Sequence, residues 1–134
     1  MLRAATGHAS RMATCVLVAE DEPDIRELIA EGLTAEGYRV LQAADGREAL
    51  ALAARERPSL IVTDLMMPVM SGVELLRALR ADRALSSIPV IVASASDDVS
   101  VDASAFVMKP FSLETLLAAL QSAGSSCSRA ATAL

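Results

Sequence analysis

Apolar and polar positions along this chain switch between two periods. Four short runs, Cys15-Val16-Leu17-Val18-Ala19, Leu60-Ile61-Val62-Thr63, Pro89-Val90-Ile91-Val92-Ala93 and Ala105-Phe106-Val107-Met108, are almost unbroken apolar stretches, as expected of strands buried on both faces. Tyr38 to Ala43 reads as a further strand, second in chain order. Between the runs the spacing becomes helical. Ile25, Leu28, Ile29 and Leu33 follow the first strand, Pro23 suits a first helical turn, and Gly37 closes the segment. Asp45 and Glu48 have capping-box spacing and open an Ala- and Leu-rich helix that runs to about Arg55 and is stopped by Pro58. Ser71 and Glu74 repeat that spacing ahead of a helix whose buried face is Val73, Leu76 and Leu79. A last helix starts near Ser112 and buries Leu113, Leu116, Leu117 and Leu120.

Alternating strands and helices predict a parallel sheet covered on both faces, with right-handed crossovers. The segment from Ser96 to Ser104 is polar and only faintly periodic, so a shortened or irregular fourth helix is expected there. Residues 1–13 and 124–134 lack periodicity and are expected to be a flexible leader and tail around a folded unit at 14–123. A length of 134 residues suits one domain with one core. Hydrophobic residues make up 53% and aromatics 2%, which predicts a packed globule with an aliphatic interior. The net charge of −5 argues against a nucleic-acid partner. No apolar run reaches the roughly 20 residues of a membrane span, and none at the N-terminus has signal-peptide length. Cys15 and Cys127 suggest no disulfide framework and fit a reducing cytoplasm. The single histidine, His8, lies in the leader, which removes histidine triads and multi-histidine zinc sites.

Chemistry collects where the strands stop. The first strand runs into Glu20-Asp21-Glu22, the third into Asp64, the fourth into Ser94, and the fifth into Lys109-Pro110. In an open parallel sheet those ends share the edge where ligands bind. If the first and third strands are neighbours, Glu20, Asp21 and Asp64 converge. Such a cluster is strongly repulsive unless a cation relieves it, and hard oxygen ligands favour Mg²⁺ or Mn²⁺. Asp64, directly ahead of a Pro- and Gly-bearing loop, is the candidate nucleophile: a carboxylate can attack phosphorus to form an aspartyl phosphate. Lys109 would offer an ammonium to the phosphoryl oxygens and Ser94 a hydroxyl donor.

The segments Val16 to Arg26, Asp64 to Gly72, Ile88 to Ala95 and Lys109-Pro110-Phe111 resemble the receiver domain of bacterial two-component response regulators. The resemblance covers about Ala13 to Ala123, with four separated motifs in order. It implies a flavodoxin-like doubly wound sheet of five strands in the order 2-1-3-4-5. It implies a Mg²⁺-dependent phosphoryl transfer from a sensor histidine kinase or a histidine phosphotransfer protein, self-catalysed dephosphorylation, and signalling to a downstream protein target. In this chain Asp64 matches the phosphoacceptor and Glu20 and Asp21 the metal-binding pair. The backbone carbonyl of Met66 matches a third protein ligand. Ser94 matches the switch hydroxyl, Lys109 the phosphate-binding lysine, and Phe106 the aromatic switch position. The bond from Lys109 to Pro110 is cis in the family. Ala95 would leave the pocket open to a donor, while Met66 and Ser96 would control water access.

Two departures stand out. Glu20 replaces the more usual Asp and adds a methylene. The interval from Ser94 to Lys109 is 15 residues, shorter than usual by about two helical turns of about 3.6 residues, which affects the surface the family uses for output. With few residues after the last helix, a single-domain regulator or phosphorelay intermediate is expected. The alternative is a degenerate receiver that docks partners without phosphorylation. An aspartyl-phosphate phosphatase would want a second acid two residues past the nucleophile, where this chain has Met66. A nucleotide-binding relative would want a Gly-rich loop after the first strand, and there is none.

Overall fold

The apolar runs pair side by side into one parallel sheet. The computed structural model describes residues 14–94, 103–109 and 112–133. Its elements are β1 (Cys15–Ala19), α1 (Pro23–Ala35), β2 (Arg39–Ala43), α2 (Gly46–Glu56), β3 (Leu60–Thr63), α3 (Gly72–Ala81), β4 (Val90–Ser94), β5 (Ala105–Met108) and α4 (Leu113–Ala133). The strand order is β2-β1-β3-β4-β5 with every pair parallel. The chain leaves β1 to one side for β2 and returns on the other for β3, so the switch point of this doubly wound sheet lies between β1 and β3.

Strict apolar runs follow from burial on two sides. On one face Leu17, Ile61, Val90 and Val92 pack with Ala49 and Ala53 of α2 and with Leu75, Leu76 and Leu79 of α3. On the other, Val16, Val18, Val62, Ile91 and Val107 pack with Ile29 and Leu33 of α1 and with Leu116 and Leu120 of α4. Alternate strand residues thus feed two aliphatic layers, and their removal from water drives assembly.

Local signals set the helix ends. Pro23 opens α1 at its first turn. At its far end Gly37 takes φ 98, donating to Thr34, while Tyr38 donates to Leu33. These two bonds satisfy the last carbonyls, and the positive φ favours glycine. Ser71 and Glu74 form the full reciprocal box on α3. On α2 the box is altered: Asp45 accepts from the Glu48 N–H, but the Glu48 carboxylate reaches back to the Ala44 N–H.

Several expectations are corrected. Leu28 is 70% exposed, because α1 meets the sheet through the narrower seam of Ile29, Ala30 and Leu33. Leu113 is exposed too. It lies across α1, with both δ carbons 2.7 Å from where a Cβ on Gly32 would sit. Val73 and Leu117 are half-buried, and Leu75 joins the α3 face. The last helix does not stop at Gly124 but runs to Ala133. A glycine weakens a helix interior by only about 1 kcal/mol, and the residues after it include helix-compatible Ala and Arg. Most of the expected fourth-helix segment lies outside the described residues, as does the leader.

The β3–α3 loop carries a strained valine. The Met70 N–H donates to the Pro68 carbonyl at 2.7 Å, closing a three-residue turn on Val69 at φ 68. Val69 is 70% exposed, so its side chain gains little burial in exchange. Val69→Gly should therefore raise stability by up to about 1.5 kcal/mol, about 1–2 of relieved strain less about 0.5–1 for added chain freedom. Urea midpoints check this, with Val69→Ala, which keeps the Cβ, moving less.

Candidate functional site

The three strands followed by a charged site residue, β1, β3 and β5, are each extended by one backbone hydrogen bond past their end. The Glu20 N–H donates to the Ala43 carbonyl at 3.0 Å, Asp64 to Ala19 at 3.1 Å, and Lys109 to Ser94 at 2.9 Å. The first residue beyond each strand is therefore held in the ladder, and the residues following β1, β3 and β5 meet at one edge beside the switch point. Glu20, Asp64 and Ser94 are buried there, while Asp21 is exposed.

Carboxylate oxygens of Glu20, Asp21 and Asp64 all lie within 4.8 Å of one another. The Lys109 ammonium enters this group, 2.6 Å from Glu20 Oε1 and 2.9 Å from Asp64 Oδ2. The second Asp64 oxygen accepts from the Met66 N–H at 3.2 Å, and the second Glu20 oxygen from the Glu22 N–H at 3.3 Å. Arg26 donates to the Glu20 carbonyl at 2.8 Å, fixing the backbone beneath the acid pair.

The electrostatics follow from two buried acids facing one ammonium. Burial pushes the Glu20 carboxyl above its usual range; the bonds from Lys109 and Glu22 oppose the shift and the charge of Asp64 adds to it. Burial also works against the Lys109 charge, but the bonds to Glu20 and Asp64 outweigh it and hold the lysine above its ordinary value. The ammonium is thus doubly satisfied, while the acids retain mutual repulsion. An all-oxygen donor set with that residual repulsion fits a hard divalent cation.

Of the sequence-predicted residues, Glu20, Asp21, Asp64 and Lys109 come together side chain to side chain. Ser94 lies at the same edge, tied to Lys109 through the backbone. The Met66 side chain is 74% exposed, though its N–H reaches Asp64. Phe106 is 41% exposed on edge strand β5, paired in register with Val92. Ala95, Ser96 and Pro110, with its expected cis bond, lie outside the described residues.

Sequence reading missed the residues that hold the loops. A Cβ on Gly72 would collide with the Asp64 carbonyl oxygen and stand 2.8 Å from the Leu65 Cα. One on Gly46 would collide with the Met70 carbonyl oxygen, which accepts the Gly46 N–H at 3.0 Å. Thr63 is buried with its hydroxyl bonded to the Asp64 carbonyl at 2.9 Å. The available signal was that both glycines directly follow a helix-capping residue, Asp45 or Ser71.

A 2-1-3-4-5 parallel sheet with an acid-and-lysine cluster at its switch point defines a flavodoxin-like α/β protein with a polar site at the carboxyl edge. A family model described as the response regulator receiver domain matches residues 16–121, and the chain belongs to that family. It is 41% identical over 117 residues to the response regulator MprA of Mycolicibacterium vanbaalenii, covering 82% of this chain and 50% of that protein. The chain spans about half the length of the curated relatives it matches. Among solved structures, the chemotaxis response regulator CheY4 of Vibrio cholerae superposes with a TM-score of 0.77 at 36% identity, covering 82% of this chain and 98% of that one. The receiver domain of the sensor histidine kinase PA1611 from Pseudomonas aeruginosa, with a magnesium ion coordinated in its active site cleft, gives 0.79 at 28% identity over 84% and 98%. Among the described residues, no helix is long and apolar enough to cross a membrane.

Two predictions follow from the geometry. Gly72→Ala forces a Cβ into the Asp64 backbone and should destabilise by about 1–3 kcal/mol, read from urea midpoints. The second concerns pH. A lysine whose folded pKa is raised contributes fully below its unfolded value, about 10.4, and loses that contribution as pH rises through the higher folded value. Stability of the metal-free protein should fall more steeply above about pH 10 in the wild type than in Lys109→Met. Parallel curves would show that the ammonium is not stabilised by its neighbours.

Proposed function

We propose that the chain is a phosphoacceptor receiver: Asp64 takes a phosphoryl group from a phosphohistidine of a sensor kinase or phosphotransfer protein in a Mg²⁺-dependent step. The observation that carries this is the convergence of Asp64, Glu20, Asp21 and Lys109 at one sheet edge. An Asp64 carboxylate oxygen forms the new O–P bond as the P–N bond breaks, and the histidine nitrogen leaves with the electron pair. Glu20, Asp21, Asp64 and the Met66 carbonyl would hold the divalent cation, which supplies positive charge to the phosphoryl oxygens when bound. Lys109 turns from the carboxylates to those oxygens, and the Met66 N–H orients Asp64. Hydrolysis reverses the modification, with water attacking phosphorus and restoring the free carboxylate.

The switch reading uses the same edge. A phosphoryl group adds about 1.5–2 negative charges, and the Ser94 hydroxyl donates to one of its oxygens. Because the Lys109 N–H is bonded to the Ser94 carbonyl, a shift of Ser94 is transmitted to β5, where Phe106 moves inward and alters the surface offered to a protein target.

Mass spectrometry after incubation with acetyl phosphate and Mg²⁺ should find one added phosphoryl group, lost with chelator and absent in Asp64→Asn. No modification of the wild type would overturn the proposal. Ser94→Ala should still accept the group, but the change in β5 amide exchange on phosphorylation should fall by about ten-fold, the loss of one charge-assisted hydrogen bond.

A further inference from the structure

The sheet leaves one edge open beside an acidic groove. β2 is a terminal strand, paired only with β1. The Arg39 N–H donates to the Thr14 carbonyl, and the Ala43 carbonyl accepts from Glu20. Arg39, Leu41 and Ala43 therefore turn their backbone groups inward, and the residues between and beside them turn theirs outward. Two outward N–H groups are already used: Tyr38 donates to the Leu33 carbonyl, and Ala44 to the Glu48 carboxylate at 2.7 Å. Between them Val40 and Gln42 offer backbone donors and acceptors with no partner among the described residues. Such a row is a template for an added strand.

The Gln42 side chain lies on the α1 side of the sheet, where it lines a groove of about 520 Å³ with Glu27, Ala30, Glu31, Thr34 and Ala35. Glu27 and Glu31 are exposed and stand one turn apart, about 6 Å along the helix. Alternate side chains of a strand are about 6.7 Å apart, a close match to that spacing. The neighbouring arginines are engaged elsewhere: Arg26 donates to the Glu20 carbonyl, and Arg39 pairs with Glu56 of α2 at 3.3 Å. A second copy of the chain docked by the same edge would set these carboxylates against their own duplicates, so charge favours a cationic occupant.

We propose that the β2 edge and this groove accept an extended cationic peptide segment of a partner protein as a sixth strand, with lysine or arginine at alternate positions. Main-chain bonds to Val40 and Gln42 set its register, and Glu27 and Glu31 select its charge. The surface lies at the edge of the sheet opposite β5 and takes no part in phosphoryl chemistry at Asp64.

An alternating lysine–threonine heptapeptide, blocked at both ends and titrated into the isotopically labelled full chain, tests this. Saturable amide shifts should centre on Val40 and Gln42. Glu27→Gln combined with Glu31→Gln should weaken binding about ten-fold at low salt, the loss of two exposed ion pairs. A peptide N-methylated on the residues that face β2 keeps its charge but loses its donors, and should also bind about ten-fold more weakly. The glutamate–threonine counterpart should give no saturable shifts. Shifts away from β2, or unchanged affinity in either the double variant or the N-methylated peptide, would overturn the inference. So would the same shifts arising without peptide as protein concentration rises, which would make a second copy the occupant. Phosphoryl uptake at Asp64 is read separately by mass, so failure here leaves the proposed function standing.

Discussion

Two buried carboxylates, an exposed third and one ammonium share one sheet edge, and the imbalance between them governs the site. Glu20 and Asp64 are each drawn to Lys109, yet they and Asp21 remain close enough to repel. Packed interiors tolerate such a cluster only when each charge is partnered. Here the partnership is incomplete in one direction: the ammonium has two acids, while the acids have one ammonium. That leftover negative charge is what the proposed divalent cation would balance.

The sheet makes the arrangement possible by removing freedom from the backbone. Bonds from Glu20, Asp64 and Lys109 to the neighbouring strands fix the ends of β1, β3 and β5 along one edge. The two aliphatic layers then fix the strands against α1 through α4. Glycines complete the fit, since Gly72 lets the start of α3 lie directly against the Asp64 carbonyl and Gly46 lets α2 approach the same loop. Function is thus carried by loops whose positions the core dictates.

Much of this was legible in the residues. Unbroken apolar runs identified β1, β3, β4 and β5, and capping-box spacing marked the starts of α2 and α3. The acids and the lysine at strand ends were visible because such residues are rare where burial stops. Other features needed three dimensions. Leu28 has helical spacing but falls beside the buried seam, and Leu113 packs sideways on Gly32. A glycine that looks like a loop former in one dimension proves to be a point of backbone contact. Residues 124–134 lack apolar periodicity and read as a loose tail, yet the last helix continues to Ala133, because backbone hydrogen bonding needs no apolar stripe. One signal was present and unused: eleven of the twelve basic residues are arginine, and the single lysine is Lys109. A compact, strongly hydrated ammonium differs from a planar guanidinium, so a lone lysine in an arginine-rich chain already marks a special position.

The most direct measurement follows backbone amide resonances while Mg²⁺ is added to the wild type and to Asp64→Asn. Saturable shifts at Glu22, Met66 and Lys109, strongly weakened in the variant, are the expected result. A wild type whose amides at the carboxyl edge stay unmoved, or shift only linearly as for non-specific salt, would contradict the account.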